Sequence, residues 1–191
     1  MNELGGAPRH VDPRVERSRR AILEATLREL GEVGYGAMTI ESIAARANVG
    51  KATVYRHWSG KLELVESALD ELQHDIVVPE SGASRERIAI YLRGLAEHVG
   101  DSTFATCLPA LVSAAQYDPS VREFRRRFRQ ARRQQLVALI VDGMEAGEIN
   151  ASDDPDFLAE MLVSPIFFRR LIADQPICPE HLEAIVTRVL G

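Results

Sequence analysis

The stretch IAARANVGKATVYRHW, from Ile43 to Trp58, decides the fold of the first third of this chain. Its apolar residues recur at helical spacing on both sides of a break formed by Asn48, Val49 and Gly50. Asparagine tolerates a left-handed backbone better than most residues, and glycine is an acceptable N-cap. The stretch therefore predicts two short helices joined by a tight turn of about four residues, which is helix-turn-helix spacing.

The two faces of this motif carry different kinds of residue. Ile43, Ala44 and Val54 can fill a small core, and the small side chains of Ala44 and Ala47 allow the helices to approach closely. The outward side of the second helix carries Lys51, Thr53, Tyr55 and Arg56. Those residue types bond base edges and phosphate oxygens. The motif predicts either a DNA-reading surface or a plain helical hairpin whose charges are solvated.

The remaining periodic segments also read as helix, so the predicted fold class is all-α with about nine helices. The predicted helices are 14–33, one starting at Thr39, 51–58, one capped by Ser59, 85–99, 102–116, 119–146, 155–173 and 179–190. The prolines at the start of the last three suit the first turn of a helix. Gly34 and Gly36 are expected to end the first helix.

The segment VVPESGAS breaks the helical pattern and predicts a domain boundary. We expect a flexible tail at 1–13, with a minor-groove arm as the alternative, a helix-turn-helix domain at 14–77 and a second helical domain at 84–191. The charge is divided accordingly. Residues 1–61 contain ten basic and seven acidic side chains, a net +3, and residues 62–191 contain thirteen and twenty-one, a net −8. A basic N-terminal segment followed by an acidic remainder is compatible with an N-terminal module that binds the phosphates of nucleic acid.

Several classes of protein are disfavoured by what the sequence lacks. No apolar run approaches the ~20 residues of a membrane span, and no basic start leads into the apolar core of a signal peptide. Cys107 and Cys178 have neither disulfide-framework nor zinc spacing. We find no glycine-rich phosphate loop, nucleophile elbow or convincing carboxylate pair. The sequence predicts a cytoplasmic protein that is not an enzyme, does not enter membranes, and needs no metal or cofactor.

The first third of the chain resembles the N-terminal domain of the TetR family of transcriptional regulators. The family pattern is a long first helix followed by T-x-x-x-I-A-x-x-A-x-V-x-x-x-T-x-Y-x-x-[FW]-x-x-K. The matching residues are Thr39, Ile43, Ala44, Ala47, Val49, Thr53, Tyr55, Trp58 and Lys61. Two departures, Gly50 where serine is common and Asn48 where glycine is usual, both preserve the turn. The remaining two thirds resemble the family in layout.

The resemblance implies a three-helix DNA-binding domain followed by a helical ligand-binding and dimerisation domain. It places these residues on DNA: Thr39, Tyr55 and Lys61 at phosphates, Lys51, Ala52 and Thr53 toward the major groove, and Arg56 and His57 near bases or phosphates. Trp58 is expected to pack in the core. A family member of this kind binds a palindromic double-stranded operator as a homodimer, most often as a repressor that responds to a small molecule. The alternative is a ligand-binding or interaction protein with little specific DNA binding.

Two sets of apolar residues in the second domain have alternative interpretations. The first set is expected either to line a pocket for an apolar effector or to form ordinary core: Leu95, Phe104, Cys107, Leu108, Leu111 and Phe128. A redox sensor at Cys107 competes with simple packing of a buried thiol. The second set is predicted to form an isologous four-helix dimer interface: Leu158, Leu162, Pro165, Ile166, Arg169, Ile172, Leu182, Ile185 and Val189.

The segment REFRRRFRQARRQ carries seven arginines between Arg122 and Arg133. Val121, Phe124 and Phe128 recur at helical spacing, so the segment predicts one amphipathic helix with a basic outer face. We favour a solvated or salt-bridged face, and an anionic effector held by one or two of the arginines is the alternative.

Overall fold

The computed structural model describes residues 13–72, 76–100 and 103–191. Over these residues the chain forms nine helices and no strand, which confirms the all-α prediction. In chain order the helices are α1 (Pro13–Ala37), α2 (Ile40–Arg46), α3 (Lys51–Tyr55), α4 (Lys61–Glu71), α5 (Ser84–Val99), α6 (Thr103–Tyr117), α7 (Pro119–Glu145), α8 (Pro155–Leu171) and α9 (Pro179–Leu190). Almost all of the predicted tail, and the predicted sixth-helix start at Ser102, lie outside the described residues.

Local sequence signals explain most of the helix ends. Thr39 is the N-cap of α2, where its hydroxyl accepts a hydrogen bond from the backbone N–H of Ser42, and the Ser42 hydroxyl accepts one from the Thr39 N–H. Pro119, Pro155 and Pro179 each occupy the first turn of their helices, as predicted.

The regular backbone of α1 is interrupted at Gly34, where the sequence predicts the helix to end, with φ 79° and ψ 162°, a left-handed conformation that glycine adopts without strain. The end of α3 and the start of α4 differ from the sequence-based expectation. Helix α3 ends at Tyr55, three residues earlier than predicted. Gly60, rather than Ser59, is the N-cap of α4. Ser59 instead donates from its backbone N–H and its hydroxyl to the carboxylate of Glu63, at 2.7 and 2.6 Å.

The described residues form two hydrophobic cores, and the first one crosses the predicted domain boundary. It joins α1–α4 to α6 and the beginning of α7 through fully buried residues such as Ile22, Leu30 and Cys107. The second core joins α5, the later part of α7, α8 and α9. Residues 76–83 form no helix. Helix α6 therefore packs with the N-terminal helices, although it follows the boundary in sequence.

Among the described helices, none is both long enough and apolar enough to cross a membrane.

Candidate nucleic-acid interface

The turn between α2 and α3 has the geometry of a glycine-type helix end with asparagine in the glycine position. Asn48 has φ 54°, in the left-handed region. The Asn48 N–H donates to the Ala45 carbonyl at 3.1 Å, and the Val49 N–H donates to the Ala44 carbonyl at 3.0 Å. These two bonds form a Schellman motif and satisfy carbonyls that the end of α2 would otherwise leave open. Gly50 then caps α3 in an extended conformation.

The inner face of the motif is buried, as the sequence predicts. Ile43 and Val54 are fully inaccessible and Ala44 nearly so. Trp58 is also buried, and its indole N–H donates to the Ser67 hydroxyl at 2.9 Å. A buried indole N–H needs such a partner, so Trp58 ties the end of the motif to α4.

The outer face carries the side chains that the sequence predicts to meet DNA. Those of Lys51, Ala52, Tyr55, Arg56 and His57 are exposed, and that of Thr53 is half-buried. An exposed tyrosine beside basic residues on a short helix supplies donors for phosphates and base edges. The structure thus brings six of the eight predicted DNA-binding residues together on and just after α3.

The other two predicted residues have structural contacts of their own. The Thr39 hydroxyl takes part in the α2 cap while the residue stays exposed. The Lys61 ammonium donates to the carbonyl oxygens of Tyr35 and Met38, at 2.7 and 3.4 Å, and lies 4.3 Å from the centroid of the Tyr35 ring. Lys61 therefore fixes the start of α4 to the chain between Tyr35 and Met38, and a phosphate contact would have to use the one remaining donor of its ammonium group.

Two ion-pair groups beside the motif had no signal in the sequence. Arg46, at the end of α2, binds Glu29 and Glu32 of α1, with its Nε 2.9 Å from a carboxylate oxygen of the buried Glu29. This pairing fixes α2 on α1. Lys51 pairs with Glu41 across the motif at 2.7 Å, and the hydrogen bond from Lys51 is the main cause that lowers the pKa of Glu41.

The six residues predicted to line an effector pocket are divided between the two hydrophobic cores. Phe104, Cys107 and Leu111 are buried in the first core, with Leu108 and Phe128 packed against it, whereas Leu95 packs on the second core. The reason is that α6 packs directly on α1, which fills the space between them with side chains. Of the open spaces in the described part of the chain, one of about 350 Å³ lies between residues 76–77 and α5, and one of about 730 Å³ lies along the outer face of α7. None of the six residues lines either space.

Cys107 has the environment of a packing residue rather than of a redox sensor. Its side chain is inaccessible, its thiol donates to the Leu27 carbonyl at 3.3 Å, and burial raises its pKa to about 11. The reactive species of a cysteine is the thiolate, which this environment suppresses.

Most of the arginines between α6 and the middle of α7 have defined protein contacts. Arg122 donates to two carbonyl oxygens at the end of α6. Arg126 pairs with a glutamate one turn earlier, Arg127 with a carboxylate of α4, and Arg133 with two carboxylates of α8. The guanidinium carbon of Arg132 lies 4.9 and 4.5 Å from the centroids of two phenylalanine rings. These contacts favour the salt-bridged interpretation of the basic segment.

The predicted dimer residues divide into buried and accessible ones. Leu158, Leu162, Ile166 and Leu182 are buried in the second core of the same chain, so they are corrected to core residues. Pro165, Arg169, Ile185 and Val189 are half-buried, and Ile172 is exposed.

The outer side of α8 carries an apolar stripe that the sequence-based set mostly missed. Its members are large apolar residues with exposed fractions of 39–73%: Phe157, Met161, Phe168 and Ile172. The spacings of four and seven residues place the first three on one side of α8, and Ile172, the C-cap residue, follows four residues after Phe168. Large apolar residues are uncommon in such a row on a free surface.

No group of three or more His, Cys, Asp or Glu residues within the described ranges could hold a metal ion.

A capped α2, a left-handed turn, and a short α3 that presents basic and hydroxyl side chains together define a helix-turn-helix DNA-binding protein. The chain belongs to the TetR family of transcriptional regulators. Residues 22–68 match the family model described as bacterial regulatory proteins, tetR family, and residues 78–189 match the one described as tetracyclin repressor-like, C-terminal domain.

Individual proteins agree with this assignment. The HTH-type transcriptional regulator YdeS of Bacillus subtilis (strain 168) is 34% identical over 176 residues, which cover 91% of this chain and 88% of YdeS. The DNA-binding transcriptional repressor TetR of Mycobacteroides abscessus is 32% identical over 117 residues, 60% of each chain. A TetR family transcriptional regulator from Pseudomonas syringae pv. tomato has a similar structure, with a TM-score of 0.70 at 26% identity, covering 92% of this chain and 94% of that one.

The chain is therefore a DNA-binding transcriptional regulator. Regulators of this family are not enzymes, which confirms the expectation from the sequence.

Proposed function

We propose that this regulator is a repressor that binds a palindromic operator as a homodimer and is controlled by a small-molecule effector. The observation that carries the DNA-binding part is the exposed polar face of α3. Lys51 and Arg56 supply its positive charge, and Thr53 and Tyr55 supply hydroxyl groups. The repressor part is supported by the similarity to the Mycobacteroides abscessus repressor.

The proposed dimer uses the apolar stripe of α8, with the accessible parts of α9 beside it. Regulators of this family typically act as dimers, and a two-fold interface buries the same stripe on both subunits. Two α3 helices would then enter successive major grooves about 34–36 Å apart, which requires a palindromic site.

Effector control would act through the contact between α6 and α1. The Cys107 thiol of α6 donates a hydrogen bond to the Leu27 carbonyl of α1. The two helices are so close that a Cβ added at Gly31 would lie 3.0 Å from the Thr106 hydroxyl oxygen. Packing this close transmits a shift of α6 to α1 and hence to the motif. An effector that binds one arrangement better than the other would change operator affinity, and operator would change effector affinity by the same factor.

The test begins with a footprint on the DNA that flanks the gene of this protein. Fluorescence anisotropy on the protected site then compares the wild type with Lys51→Ala and Arg56→Ala across salt concentrations. Each change is expected to weaken operator binding because each removes a cationic side chain from the exposed face of α3, and Arg56→Ala should also make binding less dependent on salt. Arg129→Ala, which removes an exposed charge from α7, should leave binding unchanged.

Unaltered affinity of both α3 variants at every salt concentration would refute the recognition-helix assignment. Absence of any protected site would favour an interaction protein whose helix-turn-helix domain does not bind a specific DNA site. Repeating the footprint with candidate apolar compounds tests effector control.

A further inference from the structure

A single ion pair joins the beginning of α2 to the beginning of α3. The Lys51 ammonium lies 2.7 Å from a carboxylate oxygen of Glu41, and the two side chains are 57% and 54% exposed. Glu41 is two residues beyond the α2 cap, Thr39, and Lys51 is the first residue of α3. Both ends of the pair therefore belong to the surface assigned to DNA under the proposed function, and the role inferred for Glu41 rests on that function.

An acidic residue in this position lowers affinity for DNA in general. Its charge repels phosphates of any sequence, and its partner Lys51 is held back from them. Each lysine that contacts a phosphate steepens the dependence of log K on log salt by about 0.9, which corresponds to about an eightfold gain in affinity at 0.1 M salt relative to 1 M. The pair therefore removes a sequence-independent contribution that a free Lys51 would provide.

We propose that Glu41 is a specificity-determining residue that keeps Lys51 off the phosphates of non-operator DNA and directs it toward base edges. A lysine ammonium has three donors, so the bond to Glu41 leaves two for acceptors such as the O6 and N7 atoms of guanine. On the operator the pair stays intact and Lys51 bonds a base. Where guanine is absent from that position, Lys51 finds only a single acceptor on a purine or pyrimidine, the N7 atom of adenine or the O4 atom of thymine, and it reaches a phosphate only by leaving Glu41.

The test measures the affinity of the protein for operator and scrambled duplexes of equal length, by fluorescence anisotropy between about 50 and 300 mM salt. In this range phosphate contacts dominate the change in affinity with salt. We expect Glu41→Gln to strengthen binding to the scrambled duplex by up to about eightfold per head at 0.1 M salt, with a steeper salt slope. Operator affinity should change much less, so the ratio of the two affinities falls.

A double-mutant cycle separates the effect of the ion pair on Lys51 from simple repulsion between Glu41 and phosphates. Most of the gain of Glu41→Gln on scrambled DNA should disappear when Lys51→Gln is already present, because the freed lysine is then absent and only the loss of the acidic charge remains. Glu123→Gln is a matched control: Glu123 pairs with Arg126 on α7 at 2.8 Å, with side chains 52% and 59% exposed. It removes the same charge away from the motif and should alter neither affinity.

Three results would overturn the inference: an equal gain on both duplexes, no gain on scrambled DNA, or the same gain in the Lys51→Gln background. These results differ from failure of the proposed function, which would appear as a wild-type protein that prefers no duplex.

Discussion

Truncation of Phe168 tests the dimer face most directly. Phe168 lies on the outer stripe of α8 with 58% of its surface exposed. A phenylalanine buries about 200 Å² when covered completely, so a partner could cover up to about 115 Å² more. At about 25 cal/mol per Å² this is ~3 kcal/mol per subunit and ~6 kcal/mol for the two symmetric copies, as an upper bound.

Phe168→Ala should therefore weaken dimerisation by about 2–4 kcal/mol, since alanine keeps its Cβ and coverage is incomplete. That loss raises the dissociation constant of the dimer by about 30- to 1,000-fold. Sedimentation velocity or mass photometry from nanomolar to micromolar protein measures the shift directly. Operator affinity at nanomolar protein should fall with it, because a single head reads only one half-site.

Two further variants make the result interpretable. Tyr117→Ala removes an aromatic side chain that is 88% exposed at the end of α6, outside the stripe, and should leave dimerisation unchanged. Leu162→Ala removes an inaccessible core side chain. It should lower the free energy of unfolding by about 2–5 kcal/mol, with little effect on dimerisation of the folded protein. If Phe168→Ala dissociates at the same concentration as wild type and Tyr117→Ala, the stripe is not the interface. A wild type that is monomeric at micromolar concentration contradicts the homodimer itself.

Two other predictions concern single residues of the fold. At pH 8 a thiol reagent such as Ellman's reagent should react quickly with the half-buried Cys178, and with Cys107 only when the protein unfolds. Burial raises the pKa of Cys107 to about 11 and so keeps its thiol protonated. Equal reaction rates for both thiols in the folded protein would contradict this. Asn48 has φ 54°, so Asn48→Ala should lower the free energy of unfolding, measured in urea, by about 1 kcal/mol. Asn48→Gly should leave it nearly unchanged. An equal loss for both variants would show that the asparagine is not there for the left-handed turn.

The features that the sequence predicts correctly are those with a local physical cause. The start of α2 at Thr39, the left-handed Asn48 and the prolines in the first turns of α7, α8 and α9 each depend on residues within one turn of the chain. The α4 cap was predicted incorrectly for a related reason. Ser59 has the right chemistry for a cap, but the carboxylate of Glu63 competes for its hydrogen bonds.

The ion pair between Glu41 and Lys51 could not be found in this way. The two residues are ten positions apart and on different helices, and their distance depends on the angle at which the turn sets α3 against α2. The position of Lys61 depends in the same way on how the chain turns back toward Tyr35.

Helix α8 shows why periodicity predicts an apolar face without saying what covers it. Leu158, Leu162 and Ile166 form one face, and Phe157, Met161 and Phe168 form another, with similar hydropathy and the same helical spacing. The sequence-based dimer set contained the first face and, of the exposed stripe, only Ile172. Only the packing of α5, α7 and α9 shows that the first face belongs to the core of this chain. The face that remains exposed is then the one available to a second copy, so locating the dimer interface requires the monomer core to be assigned first.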